Sequence, residues 1–282
     1  MAAPTINQAF ITKWNSDLKR DYARTISYFR GTVRTDGEVN GDKVRFQKLG
    51  TISMTTKARN GEIPISNPAH SYVDCTMADH YARSVIDKLD LSALNIEVRN
   101  NYMRNFLEAA NRKTDEIIIT ALDADATVTE GNYGGAFTRN LVLEINEELD
   151  SNDVPRDGRR FCAITPKQWA HLMTYPEFSS ADYVGPDDLP FKKQGMPVRT
   201  WCDLHWMVHT GLTGRGTAQV KCYAWHMDAV GFGIKDDIQT QWDWNQGMFG
   251  WDGAVALGMG AKIIDTNGVV QVRVTDAASL PS

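Results

Sequence analysis

Residues 94–122 read Leu94-Asn-Ile-Glu-Val-Arg-Asn-Asn-Tyr-Met-Arg-Asn-Phe-Leu-Glu-Ala-Ala-Asn-Arg-Lys-Thr-Asp-Glu-Ile-Ile-Ile-Thr-Ala-Leu122. Apolar side chains recur at Ile96, Met103, Phe106, Leu107, Ala110, Ile117, Ile118 and Leu122, with Arg99, Arg104, Glu108, Arg112 and Asp115 among them. Spacings of three, four and seven gather the apolar set on one side of a helix. The stretch therefore predicts one helix from about Leu94 to Leu122. At roughly 1.5 Å per residue it is about 40 Å long, where a helix of about eleven residues is usual. A helix of this length is a girder.

The chain before the girder has a different character. From Gly31 to Met77, Gly, Asn, Asp and Thr punctuate short alternating runs at 44–49, 52–56 and 72–77, and Asn40-Gly41 is a hairpin-type turn signal. Between Gly31 and Glu62 six basic residues (Arg34, Lys43, Arg45, Lys48, Lys57, Arg59) face four acidic ones, with few large apolar groups. The pattern predicts an extended two-stranded arm outside any compact core. Such an arm is marginal alone and needs a partner surface. Further upstream, Ile6, Phe10, Trp14, Leu18, Tyr22 and Ile26 recur every four residues behind Pro4, which predicts an amphipathic helix within 4–30. Its Phe10 and Trp14 stripe must dock on the chain's own body or on a neighbour.

Beyond the girder, Gly131–Gly135 reads as a loop and Phe137–Leu149 as a second amphipathic helix. A buried strand at Arg159–Thr165 follows, then a third helix with Pro166 in its first turn, ending near Met173. Strands are expected at 198–209, 220–225, 230–234, 238–244 and 262–274, the last interrupted by the turn Asp265-Thr-Asn-Gly268. Between 141 and 190 ten acidic residues stand against four basic ones. Opposite charge on separate parts of one chain suits head-to-tail contact between copies.

Composition narrows the function classes. The chain has 282 residues, 42% hydrophobic and 23% charged, which excludes wholesale disorder. Thirty basic against 35 acidic residues give a net charge of −5, the wrong sign for a protein that wraps nucleic acid over its surface. The start Met1-Ala-Ala-Pro-Thr-Ile lacks a basic and then apolar signal, and no apolar stretch approaches the roughly 18 residues that span a bilayer. No membrane partner is expected. Cys75, Cys162, Cys202 and Cys222 lie in apolar, strand-like runs and read as reduced, buried thiols in a cytosolic setting.

Chemistry is scarcely advertised. Cys202-x2-His205 and Cys222-x3-His226, with His209 nearby, have the inventory of a zinc site. In a strand, however, 202 and 205 point to opposite sides, so core cysteines and partly buried histidines are expected instead. Gly211-Leu-Thr-Gly-Arg-Gly216 has no helix pattern after it and reads as a hairpin loop. Gly258-Met-Gly-Ala-Lys262 lacks the spacing of a phosphate loop. No nucleophile elbow occurs. The carboxylates at Asp123 and Asp125, at Glu144, Glu147 and Glu148, and at Asp187 and Asp188 read as solvated charge. No catalytic residue, cofactor or metal is assigned. Of the eight tryptophans, Trp242 and Trp244 share a strand face, and most are expected in the core.

The order of parts (amphipathic helix, basic β-arm, girder helix, acidic α/β region, late strands) resembles the major capsid proteins of tailed double-stranded DNA bacteriophages, the Hong Kong 97-type shell fold. Local runs carry the resemblance further. They are Asp87-Lys-Leu-Asp90, Asn95 to Arg99, 112–122, Val154-Pro-Arg-Asp-Gly-Arg-Arg160, Ile164-Thr-Pro-Lys-Gln-Trp169, Tyr223-Ala-Trp-His-Met-Asp-Ala-Val-Gly-Phe232, and Gly258 to Val270. The resemblance implies an α+β fold with an N-terminal arm (1–30), an extended loop (31–77), a peripheral domain with its spine helix (78–130), an axial domain (131–240) and returning strands (241–282). It implies a structural protein that self-assembles as hexamers and pentamers into an icosahedral shell around packaged double-stranded DNA, in the bacterial host cytoplasm. Partners implied are a portal protein, a scaffolding protein and a decoration protein. Because Ile6 already begins the arm, a separate scaffolding protein and no maturation cleavage are expected. Lys43, Lys48 and Lys57 match no crosslinking constellation. Arg34, Lys43, Arg45 and Lys48, with Phe10 and Trp14, are the candidate inter-subunit contacts. The alternatives are an encapsulin-like nanocompartment and a metal-dependent hydrolase using the Cys and His set.

Overall fold

The computed structural model describes residues 25–89, 98–126, 128–179 and 198–279. The amphipathic stripe from Ile6 to Tyr22, Phe10 and Trp14 included, and the Asp187–Asp188 pair lie outside the described residues; Ile26, its last member, is exposed and in no helix. The chain divides into two compact units, one of Met1–Ser27, Ala78–Thr114 and Lys235–Met259, the other of Tyr28–Met77, Asp115–Ile234 and Gly260–Ser282.

The girder forms as Val98–Asp125, α1. In the first unit its residues to Thr114 accompany a three-stranded sheet of β4 (Ala78–Asp87), β10 (Val230–Asn245) and β11 (Gly250–Ile263), in the order β10-β11-β4. β4 and β11 pair antiparallel from Ala78↔Met259 to Asp87↔Gly250. Gly253 explains the close approach of helix and sheet, because a Cβ there would stand 2.6 Å from the Trp242 ring and 2.8 Å from Phe106. Tyr102 meets Trp242 edge-on at 6.5 Å.

The second unit holds a six-stranded mixed sheet. Its strands are β5 (Val128–Gly131), β6 (Arg160–Ile164), β7 (Val198–Trp201), β8 (Leu204–Val208), β9 (Val220–His226) and β12 (Val269–Val274). They lie in the order β5-β12-β9-β6-β8-β7. Cys162, Ala163, Ile164, Val220, Cys222, Tyr223, Ala224, Trp225, Val269, Val270 and Val272 are fully buried, the continuous apolar run of a sheet covered on both faces. Helix α2 (Arg139–Ser151) lies along β5 and β12, burying Val142, Ile145 and Leu149. Thr138 caps it by accepting the Leu141 N–H. Thr165 caps α3 (Pro166–Leu172) in the same way, with Pro at the first helical position. A one-turn helix, α4 (Pro176–Ser179), follows.

The same unit carries the arm as a sheet of β1 (Glu38–Asn40), β2 (Lys43–Leu49) and β3 (His70–Thr76). Asn40 pairs with Lys43, so Gly41-Asp42 make a two-residue turn, with Gly41 at φ 62°.

Several expectations are corrected. Residues 52–56 alternate like a strand but have no neighbouring strand to pair with, and no regular structure forms there. The arm root is not outside a core: Val44, Phe46, Cys75, Met77 and Ile264 form a buried cluster. β4 is a strand the sequence pattern did not announce, because its inward positions are His80, Ala82, Ser84 and Ile86, three of them without a large aliphatic group. The Gly211–Gly216 loop is no hairpin, since β8 and β9 lie on either side of β6 and the loop crosses between them. Cys202 is exposed, in a two-residue turn with Asp203 where both residues have positive φ.

Candidate assembly surface

The alternation of β2 decides what the arm offers. Val44 and Phe46 turn inward, and Lys43, Arg45 and Gln47 turn out. The inward pair sits on a floor of glycine. A Cβ on Gly231 would stand 2.5 Å from the Phe46 ring, one on Gly233 2.6 Å from Val44 Cγ2, and one on Gly37 2.2 Å from Val44 Cγ1. Only a backbone without side chains lets the arm root lie this close.

Each basic candidate then has a defined place. Arg45 stands opposite Asp74 in register, donates through Nε at 2.8 Å and Nη2 at 3.0 Å, and lies 4.0 Å over the Tyr72 ring. The Arg45 guanidinium holds the Asp74 carboxyl below its ordinary range. Lys48 reaches Asp265 at 2.7 Å, tying the arm to the turn before β12. Arg34 pairs with Asp36, while its backbone bridges β10 through Arg34 N–H to Val230 O at 2.9 Å and Phe232 N–H to Arg34 O at 2.8 Å. Lys43 is exposed beside the turn. The structure thus brings Arg34, Lys43, Arg45 and Lys48 to one arm root.

Beyond Leu49 the arm carries apolar side chains that stand exposed. Gly50 N–H donates to Ala69 O at 2.8 Å and closes the root. Past it Ile52 is 57% exposed, Met54 102%, Ile63 75% and Ile65 88%. The sequence reading missed these four by weighing the arm's charge above its apolar content. Ile52-Ser-Met54 on one side of Gly61 and Ile63-Pro-Ile65 on the other were the available signal.

An acidic surface lies on α2 and β5. Glu144, Glu147 and Glu148 extend along the helix, and Glu130 on β5 is pushed above its ordinary value by partial burial and then by these three charges. The remaining carboxylate expectation needs revision at Asp123, which sits in the last turn of α1 and accepts an ion pair from Lys221.

The histidine and cysteine set is dispersed into separate structural tasks. His205 bridges Thr200 Oγ1 at 2.9 Å and Gly158 O at 2.7 Å, and its ring lies on Phe161. His226 meets Asp157 at 3.0 Å, and His209 meets Asp115 at 3.2 Å. Cys222 is fully buried, its thiol pushed up to about 12 by that burial. Among the described residues no three His, Cys, Asp or Glu side chains stand where they could hold a metal ion. Also among them, no helix is long and apolar enough to cross a membrane. The Gly211–Gly216 loop binds a protein carboxylate, because Gly216 N–H donates to Asp276 Oδ2 at 2.9 Å. The Gly258–Lys262 stretch lies inside β11.

A family model described as phage capsid protein matches residues 6–276. No curated protein matches the chain. Solved structures do. One of Mycobacterium phage Che8 is 17% identical, covers 92% of this chain and 95% of its own, and superposes with a TM-score of 0.72. The capsid of Ralstonia phage GP4 is 13% identical, with 95% and 96% covered and a TM-score of 0.68. The head of Helicobacter pylori bacteriophage KHP40 is 10% identical, with 92% and 93% covered and a TM-score of 0.67. At such identities the likeness is one of fold, the Hong Kong 97-type capsid fold.

Proposed function

Because the chain belongs to the phage capsid protein family and is a major capsid protein of a virion shell, we propose that its arm is the strap joining one subunit to the next. The observation that carries this is the exposed run of Ile52, Met54, Ile63 and Ile65. Exposed apolar groups concentrated on a marginal arm favour burial against a partner, and in a shell the partner at hand is another copy. The outward basic residues of the arm root, Lys43 and Arg45 foremost, would meet an acidic surface such as that of Glu130, Glu144, Glu147 and Glu148. Phe10 and Trp14 are proposed as a second apolar contact.

The assembly this supports is an icosahedral shell of hexamers and pentamers, built in the host cytoplasm on a portal protein with a separate scaffolding protein, and open to a decoration protein. It would enclose double-stranded DNA without sequence specificity. A net charge of −5 suits that task, since a shell confines DNA without gripping it. Within the subunit we assign 1–30 to an N-terminal arm, 31–77 to the extended loop, 78–130 to the peripheral domain, 131–240 to the axial domain and 241–282 to the returning strands. The family and fold are those of a structural protein, and we infer no catalysis. Neither a nanocompartment nor a hydrolase is favoured by the family match.

Negative-stain electron microscopy with sedimentation velocity, on the protein expressed alone, tests this. Closed shells, hexamer sheets, tubes or free capsomers are the expected products. A monomer or dimer that gives no higher species at high concentration would overturn it.

A further inference from the structure

In the chain, one short stretch, Tyr28 to Arg34, leads into the β-arm, and its first two residues are held by a buried carboxylate that stands beside a buried imidazole. Asp115 on α1 and His209 after β8 have fully buried side chains. Asp115 accepts the Phe29 N–H at 3.2 Å on Oδ1 and the Tyr28 N–H at 3.3 Å on Oδ2. His209 Nε2 stands 3.2 Å from the same Oδ2. Gly211 N–H donates to His209 Nδ1 at 3.0 Å. The nitrogen that accepts carries no proton, so the neutral ring carries its proton on Nε2 and donates it to Asp115. Phe29, fully buried, stacks on the His209 ring at 4.4 Å and meets Trp225 edge-on at 5.4 Å. Trp225 Nε1 in turn donates to Thr32 O at 3.0 Å.

We propose that Asp115 and His209 form a clasp that fixes the backbone at Tyr28 and Phe29, the lead-in to the β-arm, so that two residues buried within one subunit set the geometry with which that arm meets other subunits. The inference rests on the shell reading for its consequence, though not for the clasp itself. Its logic is that two consecutive backbone N–H groups converge on one carboxylate. They stand just ahead of the short 3-10 helix Arg30–Thr32, and Phe29 is fully buried, so the carboxylate satisfies donors at the start of that helix. His209 is a positioning residue. It orients Asp115 while its other nitrogen is committed to the Gly211–Gly216 loop.

The test is hydrogen exchange on unassembled full-length subunits, read at the amides of Tyr28 and Phe29 and in β6 and β9 as internal reference. His209→Ala and Asp115→Asn are expected to speed exchange at Tyr28 and Phe29 by at least tenfold and leave β6 and β9 unchanged. His209→Gln, whose amide can donate to Asp115 and accept from Gly211, is expected to restore protection. Unchanged exchange at Tyr28 and Phe29 in both first variants would overturn the clasp. So would an equal rise in β6 and β9, which marks His209 as ordinary core. Electron microscopy of the same variants then tests the consequence: irregular or open assemblies are expected from His209→Ala and regular ones from His209→Gln, and wild-type shells from His209→Ala would refute it. Failure of the wild-type chain itself to assemble would count against the shell reading alone, since the exchange comparison needs no shell.

Discussion

The Phe46 ring occupies the space a side chain on Gly231 would need, 2.5 Å from where its Cβ would stand. The arm is therefore seated by shape at its root, in a buried cluster with Val44, Cys75, Met77 and Ile264, while its far end stays open. Root and end should respond to mutation in opposite ways.

At the root, Gly231→Ala is expected to cost about 1–3 kcal/mol by overpacking, and Phe46→Ala about 3 kcal/mol or more through the cavity it leaves. Both should lower the calorimetric unfolding temperature by several degrees. An unchanged midpoint in Gly231→Ala would show that the ring shifts freely.

At the far end, the double substitution Ile52→Ser and Ile63→Ser removes side chains that touch little in the subunit. Subunit stability should stay within about 0.5 kcal/mol of wild type, while sedimentation shows assembled species reduced at least tenfold. Normal assembly by this variant would mean the end of the arm is no strap.

Charge reversal at Lys43 and Arg45 probes the outward face. The Arg45–Asp74 pair is solvent-exposed, so its loss costs the subunit little. Assembly should nonetheless weaken, and the wild-type chain should lose assembly with added salt as these contacts are screened. Salt-independent assembly would argue against a charged contact.

Acid should loosen the second unit through Asp150. Arg156 beside it, opposed by partial burial and then joined by Arg160, holds its carboxyl at about 2. Its folded pKa lies below its unfolded one, so its stabilisation is full above the ordinary 3.8 and is lost as pH falls through about 2. Asp150→Asn, which leaves the buried Arg160 one partner short, should cost about 2 kcal/mol at neutral pH and flatten the pH dependence between these values. Denaturant unfolding at several pH values measures it.

Thiol titration should find one accessible cysteine in the native subunit, the surface-exposed Cys202, its thiol also raised by partial burial, and four after denaturation. Burial pushes Cys75 up to about 11 and Cys222 up to about 12, and it pushes the enclosed Cys162 upward too. Three fast thiols would contradict the packing of β6 against β9.

The sequence carried its periodic elements plainly. The α1 girder forms within a few residues of the limits its apolar spacing implies, and the Asn40-Gly41 signal marks a real hairpin. Thr165 caps the helix expected after it, and Thr138 starts the second helix at Arg139, two residues later than the expected Phe137. β4 escaped because small and polar residues fill most of its inward face, so no alternation stands out. The Ile52–Thr56 run misled for the converse reason, since strand propensity without a neighbouring strand makes no strand.

What the sequence determined alone is what depends on neighbours along the chain: helix period, cap chemistry, turn glycines and the charge contrast between arm and axial region. The tertiary structure alone decided what depends on residues brought together from afar. The β5-β12-β9-β6-β8-β7 order, the glycine floor beneath Phe46, and the meeting of Phe29, Asp115 and His209 all join residues dozens of positions apart. No local pattern encodes such meetings, because each is fixed by the collective burial of the core.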